Sequence, residues 1–562
     1  MRILEADHFK LDAGGPMFDV LYTNGTIHTQ DPRRPMAKAL GVHQGRIICL
    51  DDQVETRHFA QVVDLGGASV VPGFNDAHLH LTFIGDALRQ VDLRPQAVKT
   101  MDELLAAVDS AAREASDGAW VIGTGYDQNF LGDAHPTALA LDAVSHGHPV
   151  FLWHVSRHMA VANTLAFERS GYPERRNVPV PDGGAVPKDS AGLALGLLQE
   201  TARSLVLDHI PAKTIEDVAE LVAAGSQEML KLGVTSITEP GVGAPDHIGQ
   251  STVDLAGYQL ARERGQLGVR ATLMPYLTTL HPLDTDKVDG HTRYGLDLGL
   301  RSGLGDDFLR LGPTKVLSDG SLIGRSAFMC CDYAIDEGNR GLLQFPEDTL
   351  REKLIGAHLA GWQLAVHAIG DAALDVVMDI VAEAQSLLPR TDARHRIEHA
   401  SMASDAQIAR MVQLGLVPVP QGRFIHELGD GVATALGAER QPLAYRVKSF
   451  LDAGLVIPGS TDAPVVSADP ILNIASLVQR TTQGGAPFTD SEKLTVAQAV
   501  HAYTVGSAYA VHEEHYKGKL VPGQLADFVV LSQDLYEIDA EQIAETRVQA
   551  TVVGGALVYG DL

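Results

Sequence analysis

Between residues 73 and 504, short β-like runs alternate with helical patterns. This alternation constrains the fold more than any other feature. The candidate strands are 75–80, TSITEP (235–240), VRATLMPYL (269–277), GPTKVLSDG (312–320), QLAVHAIG (363–370), RHRIEHAS (394–401), GLVPVPQ (415–421) and LVIPGSTD (455–462). Helical runs lie between most of them, for example TIEDVAELVAAGSQEMLKLG at 214–233. Eight strands alternating with helices predict an α/β fold of the (β/α)8 TIM-barrel kind. An open doubly wound sheet satisfies the same alternation, but no GxGxxG or P-loop supports a nucleotide-binding sheet.

The two ends of the chain are different. MFDVLYTNGTIHT carries an Asn24-Gly25 hairpin signal, and AKALGVHQGRIICLDD carries Gln44-Gly45 between two strand-like runs. ADFVVLSQDL and VQATVVGGALVYG near the other end are also strand-like. We therefore expect residues 1–72 and 505–562 to form a small β domain and residues 73–504 the barrel. The first two barrel strands are separated by far more chain than a βα unit needs. We read about 85–233 as an inserted subdomain, a large insertion after strand one.

Catalytic groups of such barrels sit at the C-terminal ends of strands. In order, those ends carry His78 and His80, then Lys315, His367, His399 and Asp462. On a β-strand, residues i and i+2 share a face, so His78 and His80 could reach one ion. Four imidazoles and a carboxylate suit zinc or a similar borderline divalent metal. A lysine ammonium cannot bind metal, but carbamylated by carbon dioxide it becomes a carboxylate able to bridge two cations. The alternative for Lys315 is a plain ion pair with Asp319. For Asp462 it is a helix cap at ADPILNIASL.

The segments PGFNDAHLH, KVLSDGSLIGRSA, AVHAIGDAALD, RIEHAS, PGSTDAPV and GKLVPGQLADFVVL occur together and in order. In this the chain resembles the amidohydrolase superfamily, in particular the amidohydrolase-3 branch that includes N-substituted formamide deformylases. The resemblance spans about residues 17–560. It implies a metal-dependent hydrolase barrel with a β-sandwich built from both chain ends. It further implies His78 and His80 as ligands of the more buried metal and Lys315 as a carbamylated bridge. His367 and His399 would hold a second metal, so one or two ions bind per chain. Asp462 would bind metal and handle the proton of the water. The reaction implied is hydrolysis of a non-peptide carbon–nitrogen bond (amide, formamide or cyclic amide) by metal-activated hydroxide. A deaminase or esterase could use the same groups, and a non-catalytic scaffold could keep the fold while losing ligands; here every expected ligand position is filled.

Substrate-facing candidates are His158, Tyr126 and Arg325. His158 falls where relatives often carry a histidine, although the usual Asp-Gly before it is replaced by Ser156-Arg157. Arg157 could meet an anionic group or face solvent. Tyr126, before Asp127 in GTGYDQN, could pack on substrate or anchor a core. Arg325 could bind a carboxylate or pair with a nearby acid. Glu398 could support His399 or pair with Arg396. His512 and His515 read as surface residues.

Lys plus Arg is 44 and Asp plus Glu is 71, a net charge of −27. That argues against nucleic acid or an anionic membrane as partner. No run of 18 apolar residues suggests a span, and the N-terminus lacks a signal-peptide pattern. Three cysteines (Cys49, Cys330, Cys331) offer no disulfide framework. The expectation is a cytoplasmic enzyme with a small-molecule substrate; a homo-oligomer is common in the family, though nothing in the chain specifies one.

Overall fold

The computed structural model describes residues 18–51, 58–95, 97–154, 159–181, 184–245 and 250–562. Two compact units emerge. One comprises the chain up to Leu81 together with Ser226–Leu562, and the other is Thr82–Gly225.

In the first unit, seven of the eight predicted runs contain strands, arranged in two all-parallel sheets. One holds Phe74–Asp76, Val234–Val242, Arg270–Pro275 and Leu309–Leu311 in that order. The other holds Thr314–Leu317, Leu364–Ala368, Arg396–His399 and Val417–Val419. A parallel bridge from Tyr276 to Lys315 links the two. All nine residues of Val234–Val242 are buried, as expected of a parallel strand covered on both faces. The helices Asp254–Glu263, Glu347–Leu359, Asp371–Leu387 and Asp405–Leu414 fall between strands in the sequence. The last of these is bounded by local chemistry. Ser404 and Gln407 form a capping box at its start, and Gly415 ends it in the left-handed region at φ 62°.

Two expectations are corrected. The run 455–462 contains no strand. Its end instead bonds to the segment after Asp76: Ala77 N–H donates to Gly459 O at 2.9 Å, Asp462 N–H to His78 O at 2.7 Å, and His80 N–H to Ala463 O at 2.9 Å. Pro458 lacks an N–H, which interrupts a regular ladder there. For the same reason of pairing, His78 and His80 lie just beyond strand Phe74–Asp76 rather than on it.

The chain ends supply two further sheets. One is Arg46–Leu50, Leu40–His43, Phe18–Thr23, Phe59–Asp64; the other is Ala556–Gly560, Val548–Val553, Phe528–Leu531, Ser69–Pro72, Thr26–His28, Met36–Ala37. Tyr22, Leu40, Val42, Val70, Phe528 and Val552 share one core between them. Gln44-Gly45 closes the hairpin expected of it, with both residues at positive φ. Asn24-Gly25 does not: the strands on either side of it belong to different sheets, so the turn passes the chain from one sheet to the other.

The second unit is built on a six-stranded sheet ordered Gly184–Ala185, Leu197–Glu200, Met159–Ala162, Val150–His154, Val121–Tyr126, Val91–Asp92. The helix Met101–Glu114 buries Leu104 and Val108 against it. Among the described residues, no helix is long and apolar enough to cross a membrane.

Candidate metal centre

The stretch after Phe74–Asp76, the strands Leu364–Ala368 and Arg396–His399, and the segment 459–463 bring their polar residues together. His78, His80 and Asp462 each offer a ligand atom, and these atoms all lie within 4.8 Å of one another. Asp462 Oδ1 is 3.4 Å from Nε2 of both histidines. All three residues are buried. The rings of His367 and His399 are 4.5 Å apart, and His399 is 5.1 Å from His78. Four imidazoles and one carboxylate thus line one buried region.

Three of the four histidines are each oriented through one nitrogen. His78 Nδ1–H donates to Glu398, which is also held in two hydrogen bonds by Arg396, at 2.8 and 2.9 Å. Glu398 therefore supports His78 and pairs with Arg396; it does not support His399. His399 Nδ1–H donates to Gln421 Oε1 at 2.8 Å, and Gln421 is fixed in turn by Val419 O and Ser460. His367 Nε2–H donates to Gly320 O at 3.0 Å. These bonds leave Nε2 of His78 and His399, and Nδ1 of His367, as the nitrogens a ligand can use. Fixing a metal-binding imidazole through its other nitrogen is the usual means of setting tautomer and direction.

Electrostatics match this role. Burial and the positive charge of Lys315 push His78 well below its ordinary value. Burial and the neighbouring His367 do the same for His399. Both are neutral imidazoles at pH 7, the form that ligates metal. Burial alone would raise Asp462, but the hydrogen bond from His80 and the fields of His78 and His399 outweigh it. The carboxyl is held below the usual range.

Lys315 is buried, and its Nζ has no hydrogen-bond partner among the described residues. Burial lowers it to about 8 against the pull of Glu398 and Asp462. The ion pair with Asp319 is not what the structure contains. Asp319 instead accepts backbone N–H bonds from Phe328, Ile369 and Gly370, tying together the segments that follow Lys315 and His367.

Two backbone positions stand out. His399 has φ 71° and Asp462 has φ 59°. Non-glycine residues pay of order 1–3 kcal/mol for such conformations, and they persist where the surroundings over-determine them. Both are residues whose side chains enter this cluster.

Three buried residues were not singled out by sequence. Asp76 accepts from Thr461 Oγ1 at 2.6 Å and from the backbone of His78, and burial raises it to about 7. Glu239 accepts from Tyr258 OH and Leu81 N–H, each at 2.6 Å, and from Gln250; it lies 3.9 Å from His80 Nδ1. Gln421 is the third. Glu239 is the one ionisable residue in the strand-like run TSITEP, and a carboxylate in such a run is the signal that marks it.

The substrate-facing candidates fare differently. His158 and Arg157 lie outside the described residues. Tyr126 is wholly buried within the core of the Thr82–Gly225 unit, and its hydroxyl meets His135 Nδ1 at 3.1 Å. Arg325 is partly exposed and sits 3.4 Å from Asp336, the acidic pairing weighed against substrate contact. His515 is exposed and His512 half-buried.

A model of the amidohydrolase family matches residues 61–559, and the chain belongs to that family. It is 31% identical over 555 residues to the protein LONG AFTER FAR-RED 3 of Arabidopsis thaliana, with 97% of this chain and 92% of that one covered. It is 28% identical over 561 residues to N-substituted formamide deformylase of Arthrobacter pascens, covering 97% and 98%. A solved structure of an uncharacterized metal-dependent hydrolase from Pyrococcus horikoshii OT3 has a TM-score of 0.75 at 28% identity, covering 93% of this chain and 99% of that one. Family and structural neighbour together support a metal-dependent hydrolase.

Proposed function

We propose that this chain hydrolyses a carbon–nitrogen bond of a small amide, formamide or cyclic amide, with a divalent metal held at His78, His80 and Asp462. The observation that carries the reading is the donor set itself: two imidazoles and a carboxylate, all buried, whose ligand atoms converge within 4.8 Å. Nitrogen and carboxylate donors of this kind fit zinc. His367 and His399 are the candidates for a second ion. The orphaned Lys315 Nζ fits the same scheme, because a buried ammonium without an acceptor is costly. With its value lowered to about 8, part of the lysine is free amine at neutral pH. That amine can attack carbon dioxide, lose a proton and become a carbamate, which turns an unmatched donor into oxygen ligands.

A divalent ion bound there would lower the pKa of its water to about 7 and polarise the substrate carbonyl. The chain's own contribution is proton handling and orientation. Asp462 accepts the proton of the attacking water and returns it to the leaving nitrogen. Glu398 and Gln421 hold His78 and His399 in register. The two parallel sheets, joined at Tyr276–Lys315 and by the bonds from 459–463 to 77–80, support closure into a (β/α)8 barrel. Residues about 85–233 are then an insertion after the first strand, and both chain ends make a separate β-sandwich. The name of the Arthrobacter pascens relative favours a formamide or related amide as substrate.

The test is metal per chain by plasma mass spectrometry on protein never exposed to chelator, followed by panels for released amine, ammonia or alcohol. About two zinc-like ions would support the bridged site, and about one the mononuclear form. Asp462→Asn should lower turnover by about 10²-fold or more, the usual worth of a general base. Metal-free protein that gains nothing from added metal and bicarbonate, or an Asp462→Asn variant that keeps both metal and turnover, would sink the reading.

A further inference from the structure

The adjacent pair Cys330-Cys331 lies in the long segment that follows Lys315, outside the metal centre. Its two Sγ atoms are 3.3 Å apart. Cys330 is exposed and Cys331 half-buried, whereas Cys49, the remaining cysteine, is buried. Arg440 places Nη1 3.2 Å from Cys331 Sγ and is itself anchored by Asp332 O at 2.5 Å. The backbone N–H of Cys330 donates to Asp371 Oδ1 at 2.8 Å, which fixes the other end of the pair. Cys331 and Arg440 also line a groove of about 420 Å³ with an apolar wall from Ala334, Leu436 and Ala438.

We propose that Cys330 and Cys331 form a bidentate site for a trivalent thiophilic metalloid, arsenic(III) or its aryl derivative, with the organic group in the groove beside Leu436. Soft thiolates select soft acceptors. The separation of the sulfurs then discriminates among them. An atom about 2.3 Å from each sulfur, with the sulfurs 3.3 Å apart, sees them at roughly a right angle. That suits a pyramidal trivalent centre with a lone pair and is too narrow for tetrahedral zinc. The Arg440 guanidinium lies 3.2 Å from the Cys331 sulfur, and on that contact Cys331 is assigned as the first nucleophile. Burial of its sulfur, with Asp371 and Cys331 alongside, pushes the Cys330 thiol up to about 12, so Cys330 enters second. The step balances without redox. An arylarsenic(III) oxide and two thiols give two As–S bonds and one water; both S–H bonds and the bonds from arsenic to oxygen break, and arsenic stays trivalent.

Phenylarsine oxide added to the reduced full-length protein tests this by intact mass. One phenylarsenic per chain is expected, removed by a small 1,2-dithiol but not by an equal concentration of monothiol groups. Cys330→Ala and Cys331→Ala should each weaken binding by about 10²-fold or more, because chelation by a second tethered group is lost. Cys49→Ala should bind as the wild type does. Arg440→Gln should slow the reaction at neutral pH while leaving the stoichiometry at one. No adduct, an adduct that survives either single substitution, or one that a monothiol strips as readily as a dithiol would overturn the proposal. None of these outcomes depends on the hydrolase site.

Discussion

At the residue scale, the informative side chains are those whose environment conflicts with their chemistry. Lys315 is the sharpest case. Its folded value is about 8, below the ordinary lysine value of 10.5. Between those limits the unfolded chain holds a proton that the folded chain has shed, so stability rises with pH across that window. In metal-free protein kept away from carbon dioxide, the rise is expected to total about 3 kcal/mol. Lys315→Met should remove it and stabilise the metal-free protein near pH 7. Urea midpoints at pH 7.5 and 10 for the two proteins measure this. Parallel pH responses would show that Lys315 is matched by some group after all. The identity of Lys315, His367, His399 and Asp462 as candidates was legible in the sequence because each lies in a strand-like run. Their partners were not. Nothing local in the sequence says that Glu398 faces His78 across 320 positions of chain, or that Gln421 meets His399.

At the element scale, local signals decided boundaries well where they were self-contained. The helix Asp405–Leu414 begins with a reciprocal Ser404–Gln407 cap and stops at Gly415. A Cβ at Gly415 would meet nothing within 4 Å, so its cost is purely that of the left-handed backbone. Gly415→Ala should cost about 1 kcal/mol, and Ser404→Ala a similar amount. Amide exchange in 405–414 should accelerate about fivefold in each variant, with the Leu364–Ala368 strand unchanged. Unchanged exchange in the helix would mean that packing alone sets its ends. Gly370 is the opposite case: its added Cβ would lie 2.0 Å from Phe328 O. There the constraint comes from a segment far away in sequence, and no turn signal reveals it. The Asn24-Gly25 turn and the run 455–462 were misjudged for the same reason. Turn chemistry and apolar pattern describe what a segment tolerates, while the sheet that recruits it is a tertiary matter.

At the scale of the whole molecule, the candidate metal centre is assembled from segments spread from His78 to Asp462. An ion bound there stabilises the folded chain and not the unfolded one. At about 100 times its Kd it contributes about 2.7 kcal/mol, so adding zinc to chelated protein should raise the unfolding midpoint. His78→Ala should abolish that response, and its chelated midpoint should itself be lower, since the buried Glu398 loses a donor and a cavity is left. A full response in His78→Ala would move the ion elsewhere. By itself the sequence determined the mixed α/β class and the residue types of the candidate site. Strand–helix alternation and the period of apolar residues are short-range properties, and the six polar residues are read directly from strand-like runs. Only the tertiary structure decided which of them converge. His78, His80 and Asp462 meet because the stretch 459–463 pairs with 77–80. Arg325 is held by Asp336 and Tyr126 by its own core. Convergence depends on through-space distance, which a linear pattern of residues does not encode locally.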